Sequence, residues 1–259
     1  MFIRFLITTA FIFSSALAYA TPQQLLENIH KMRLASTNAV TNYHMFSGLD
    51  ADSKYEQLIF KSIEAFDAAL KNAEGLADNN DMTAEIADVA KTWNSFKLLM
   101  EENRSNITDK GFPEIARVNE MSQTNEAIVD KLTAAYTVLQ EKSGITPNIK
   151  IQKARTLALL MEVITKEYSS RATTNMGHVY AGISDTALVD MADEFQKQLN
   201  ALISSTSSTK TDALLSNIES KWKFIETRIR NFNENTVVFL VVSYNDRIVE
   251  HLQELEKLL

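Results

Sequence analysis

The chain has 259 residues, no cysteine, a formal net charge of −7 and 45% hydrophobic residues. The acidic balance argues against nucleic acid and anionic membrane surfaces as partners. The lack of cysteine excludes disulfides, thiolate metal sites, covalent c-type haem attachment and cysteine nucleophiles together. Such a chain must be held by its apolar core alone, and it is long enough to build one.

The N-terminal stretch MFIRFLITTAFIFSSALAYA carries Arg4, then an apolar run from Phe5 to Phe13, and ends Ala18-Tyr19-Ala20. A short apolar run closed by A-x-A is a secretory cleavage signal. Only about 13 apolar or small residues follow Arg4, against the ~20 of a spanning helix. Residues 1–20 are therefore expected to be a cleaved signal peptide, with Thr21 first in the mature chain. The product is expected to be soluble, exported and periplasmic. The longest later apolar run, Val237–Val242, is far too short to span.

Six glycines and three prolines divide the remainder. Breaks fall at Gly48, Gly75, Gly111 with Pro113, Gly144 with Pro147, Gly177 with Gly182, and the polar run Ser204–Asp212. Between them apolar residues recur at helical spacing, which predicts helices of about 20–30 residues.

The two tryptophans, Trp93 and Trp222, lie 129 positions apart. At that offset Ile86, Val89, Trp93, Phe96 and Met100 map onto Leu215, Ile218, Trp222, Ile225 and Ile229. The preceding helix keeps it, with Phe66 and Leu70 mapping onto Phe195 and Leu199. An offset of 120 carries Val118, Asn125 and Leu132 onto Val238, Asn245 and Leu252, and an offset of 122 carries Ile29 and Arg33 onto Ile151 and Arg155. The reading is an all-α chain of two tandem antiparallel four-helix bundles after the signal peptide, 21–143 and 144–259. The fourth helix is expected to run almost directly into the fifth, giving a rod. Trp93 and Trp222 are expected to anchor the two cores. Val237–Val242 favours a strand by propensity, but falls in the last helix of the repeat. There it is expected to be a wholly buried turn.

The segment NIKIQKARTLALLMEVITKEYSSR (Asn148–Arg171) resembles the first helix of the PilJ/NarX-type sensor domain. Ile151, Ala154, Leu159-Leu160 and Lys166-x-Tyr168 fit that helix, and a tryptophan in the third helix is similar too. The family's Gly-Arg-x-Arg-Met-Leu core reads ARTLALL here, with Arg155 alone basic. The family forms the extracytoplasmic part of pilus chemotaxis transducers and nitrate sensors. The resemblance implies a sensor-like binding module, helix-mediated dimers, and a periplasmic or membrane sensor protein as partner.

Four residues stand out as candidates for a ligand. Arg33 and Arg155 hold equivalent places in the two first helices, where a guanidinium between helices can grip a carboxylate, nitrate or other small anion. The plainer alternative is an exposed arginine whose stem covers apolar surface. Asn125 and Asn245 sit at apolar seam positions, where an amide either lines a pocket or fixes helix register. No two of His30, His44, His178 and His251 have helical metal-ligand spacing. Met176 near His178 leaves a haem- or metal-carrying bundle as an alternative. No catalytic or cofactor motif is present, so the expected protein is not an enzyme and has no cofactor. The other alternative is an envelope assembly factor acting by helix packing.

Overall fold

A computed structural model describes the backbone of residues 2–173, 185–206, 208–232 and 237–259, and the side chains of 22–173, 186–206, 208–232 and 237–259. The chain is all-α, and there is no strand among the described residues. The helices are α1 (Phe2–Gly48), α2 (Ser53–Ala77), α3 (Thr83–Lys110), α4 (Ile115–Ser143), α5 (Ile149–Thr173), α6 (Asp185–Thr206), α7 (Asp212–Arg230) and α8 (Val238–Leu258). Among the described residues no helix is long and apolar enough to cross a membrane.

Local chemistry sets several boundaries. Asp52 accepts the Lys54 N–H at 2.8 Å and caps the start of α2. Gly111 ends α3 with φ +79°, its N–H bonded to the Ile107 carbonyl. Gly144 ends α4 with φ +64°. Both are left-handed positions that a Cβ disfavours.

Helices α1 to α4 pack round one apolar core, and α5 to α8 round a second. Trp93 and Trp222 are fully buried, one in each. Trp93 stacks on Phe66 at 3.7 Å between ring centroids, and its indole N–H donates to Asp67 Oδ1 at 2.7 Å. Trp222 lies 4.3 Å from Phe195, and its N–H donates to Gln196 Oε1 at 2.8 Å. The offset of 129 carries Phe66 onto Phe195 and Asp67 onto Gln196, so one arrangement is made twice. A buried indole N–H needs an acceptor, and each copy supplies it from the same place with a different residue.

The halves do not form a rod. Helix α4 turns back at Gly144, and α5 runs antiparallel to it, with Arg155 against Tyr136 and Lys166 against Glu126. This places α5 beside α1. Asn38 reaches Glu162, and His30 lines a cavity with Arg155. Gly48 meets Thr173 so closely that a side chain at Gly48 would collide with it. Residue numbers rise together along the contact, so α1 and α5 are parallel neighbours.

The cores also exchange side chains. Leu34 of α1 belongs to the second core, and Val242 of α8 to the first. Val241, one residue earlier, faces the second core. The run Val237–Val242 is therefore helical from Val238, as the repeat requires, but it is not wholly buried. Phe239 is 58% exposed, because successive helical residues point about 100° apart and six in a row cannot all face inward.

Trp222→Ala is expected to lower unfolding stability by ~3–5 kcal/mol, the range for deleting a large core side chain. Denaturant unfolding checks this. A loss below ~1 kcal/mol would contradict the burial described.

Candidate functional site

Helix α1 is buried on almost every side between residues 25 and 46, with Glu27 and Lys31 its exposed positions there. One face feeds the first core. The face toward α5 is polar: His30, Arg33, Thr37, Thr41 and His44 recur at helical spacing and all are buried. Helix α5 answers with buried Arg155, Glu162, Lys166 and Ser169, again at helical spacing. The two parallel helices thus meet along a polar seam between two apolar cores.

At the N-terminal end of the seam lie both arginines, and neither is exposed. Arg155 is 4% accessible. It donates from Nε to Glu256 Oε1 of α8 at 2.7 Å, from Nη2 to the same oxygen, and from Nη1 to the Tyr136 hydroxyl of α4 at 3.0 Å. Burial works to lower its pKa, but the Glu256 carboxylate and Tyr136 raise it overall. Arg33, 8% accessible, is different. Its guanidinium lies 4.8 Å from the Tyr136 ring centroid, a cation–π contact. Its Nε has no hydrogen-bond partner, and no carboxylate pairs with it among the described residues. Burial, with the Arg155 charge adding to it, lowers its pKa to about 10.

His30 completes this end. It is 2% accessible, and neither ring nitrogen has a partner. Burial, and then the charges of Arg33, Arg155 and Lys31, hold its pKa well below the usual value, so the imidazole is neutral. It lines a cavity of about 330 Å³ with Lys31, Arg155 and Lys257, and with Glu27 and Glu256, which pair with Lys31 and Arg155. An excess of cations in that lining, an imidazole without a partner, and Arg33 buried without a counterion behind it suit a small anion with hydrogen-bonding oxygens.

Midway along the seam the sign reverses. Glu162 is 3% accessible and accepts from Asn38 Nδ2 at 3.3 Å. Burial, and then the Asp246 charge, push its pKa up to about 8, against the hydrogen bonds from Asn38 and Asn245. Further along, Lys166 pairs with Glu167 at 2.8 Å and Glu126 at 3.6 Å. His44 is buried nearby, its pKa lowered to about 3 by burial and then by Lys166.

Of the four residues the sequence singled out, Arg33 and Arg155 come together and the asparagines lie elsewhere. Asn125 and Asn245 are both buried, each eleven residues from the Arg level of its helix, about 16 Å along the axis. Asn125 Nδ2 and Asn245 Oδ1 lack partners. Asn245 belongs to the Glu162 level, where its Nδ2 reaches Asp246 at 3.4 Å. His251 pairs with Glu254 on α8, while His178 and Met176 lie outside the described residues, as do Gly177 and Gly182. Among the described residues no three His, Cys, Asp or Glu side chains are grouped as a metal would require. His30, Tyr136, Glu162 and Glu256 were not singled out by sequence. The second, polar stripe on α1 and α5 is the signal that marks that seam.

The chain matches no family model, and no curated protein or solved structure is significantly similar to it.

The Glu162 carboxyl makes stability depend on pH. Its folded value of about 8 lies above the usual 4.5, so between these values the folded state holds the proton the unfolded state has lost. The stability this group contributes is then fully present below pH 4.5 and is lost as pH rises through 8, while buried neutral His30 and His44 act in the opposite sense at acid pH. Glu162→Gln removes this fall. The variant's advantage over the wild type should grow between pH 5 and 8 by up to ~1.4 kcal/mol per pH unit, read from urea unfolding at fixed pH values. A constant difference would show that Glu162 is ionised in the folded state.

Proposed function

We propose that this chain is an exported, non-enzymatic binding module of the PilJ/NarX sensor type. It is built as two tandem antiparallel four-helix bundles, 21–143 and 144–259, after a cleaved signal peptide, and works in the periplasm. Its ligand is a small anion, taken between the first helices of the two copies, α1 and α5. Occupancy is passed to a periplasmic or membrane sensor protein. The observation that carries this reading is the cationic end of the seam. There Arg33 is buried without a carboxylate and His30 without any partner, beside a cavity lined by Arg155. Leaving such groups buried and unpaired costs stability, and an anion offsets that cost.

A thermal-shift screen with sodium nitrate, formate, acetate and sulfate, against sodium chloride at matched ionic strength, tests this. One of the anions should stabilise the protein, by ~2.7 kcal/mol at a hundredfold excess over Kd. Arg33→Met keeps much of the side-chain volume without the charge, and should abolish the shift. A second reading, the envelope assembly factor, is favoured by one surface feature. Phe224 and Tyr244 stack at 4.7 Å between Arg228 and Arg247, with Phe224 43% exposed. A flat anion screen, with a helical protein partner recovered by cross-linking, would favour it.

The resemblance implies helix-mediated dimers. In this chain both arginines come from α1 and α5 of one polypeptide, which favours a site completed without a second subunit. Light scattering is expected to give the mass of a single chain, with or without the stabilising anion. A dimer that forms only with the anion would overturn this.

A further inference from the structure

A second cavity, of about 530 Å³, opens between α1, α2, α5 and α8, and the reading above makes no use of it. Leu34, Ala35, Leu58, Ala65 and Val249 give it an apolar wall. Its polar end is Glu162 and Asp246, held to one another's vicinity through Asn38. Asn38 is fixed in orientation. Its Oδ1 accepts from Ser62 Oγ at 2.9 Å and Asn42 Nδ2 at 2.7 Å, which commits its Nδ2 to Glu162.

We propose that this cavity binds a primary ammonium cation carrying a short apolar chain, with the ammonium between Glu162 and Asp246 and the chain along the Leu34, Leu58 and Val249 wall. Buried Glu162 and exposed Asp246 both line this cavity, near enough for one charge to act on the other, with amide donors but no cation in contact among the described residues. Amide hydrogen bonds do not neutralise a pair of like charges, and a bound cation does. An R–NH3⁺ group has three N–H donors, which suits the carboxylate oxygens of Glu162 and Asp246 that line the cavity. The raised pKa values of Glu162 and Asp246 agree with a site that holds a proton until a cation replaces it. Lys54 and then Lys61 lower the Asp246 value by their charges, and Lys31 and Lys61, which also line the cavity, oppose an incoming cation.

Titration calorimetry of the purified full chain with n-butylamine hydrochloride at pH 7.5 tests the proposal. Binding should release a proton, so the measured heat should differ between phosphate and HEPES buffers. Tetramethylammonium chloride, a cation without N–H donors, should bind at least about tenfold more weakly. Glu162→Gln, which should fold at least as stably, should lose about tenfold or more in affinity and lose the buffer dependence. Lys61→Gln should bind more tightly. Arg33→Met should bind as the wild type does, which separates this site from the anion end. No heat with butylamine, equal affinity for tetramethylammonium, or unchanged binding in Glu162→Gln would each overturn it.

Discussion

Everything in this fold depends on the pairing of two parallel helices that have nowhere else to go. Helix α1 packs on α2 and α4 and also on α5, and α5 packs on α6 and α8 and also on α1. A helix surrounded in this way would ordinarily be apolar all round. Here each keeps an apolar face for its own core and turns a polar one to its twin. The hydrogen bonds and ion pairs of that seam, Asn38 to Glu162 and Arg155 to Glu256 among them, are therefore made away from water. Groups left over after those bonds are made are costly, and they are concentrated at identifiable places along the seam.

The seam is ordered by charge. Its N-terminal end is cationic, with Arg33 and Arg155 beside a neutral His30. The middle is acidic, with Glu162 and Asp246. Beyond that, Lys166 is balanced by Glu126 and Glu167. The two cavities follow the same order, the smaller at the cationic end and the larger at the acidic middle. Because the interior is poorly screened, each region acts on its neighbours. Burial holds His30 neutral with Arg33 and Arg155 adding to it, and Asp246 adds to the burial that holds the proton on Glu162.

The helices and the buried stripe through Trp93 and Trp222 were legible because apolar periodicity reports burial directly. The correspondence between the two tryptophan helices was legible for the same reason, and the indole acceptors Asp67 and Gln196 extend it to residues that periodicity cannot see. The rod was a misreading, since a short polar stretch between two long helices is equally compatible with continuation and with reversal. Gly144, in a left-handed conformation, is where the reversal begins. The seam itself was half legible. Equivalence between copies pointed to Arg33 and Arg155. It could not point to His30 or Glu162, whose counterparts at the offset of 122 are Gln152 and Val40. Their polar stripes look like solvent-facing sides until the second helix is known to cover them.

Tyr136 and Glu256 occupy equivalent places 120 residues apart, and each faces one of the two equivalent arginines. In a pair of identical subunits those two places would be filled by the same residue. A molecule lying on the symmetry axis would then have two indistinguishable orientations. In this single chain the two places differ. One side offers an aromatic face and a free guanidinium, the other a guanidinium already neutralised. A guest with two different ends held there would meet two different surroundings, and so would have a single preferred orientation.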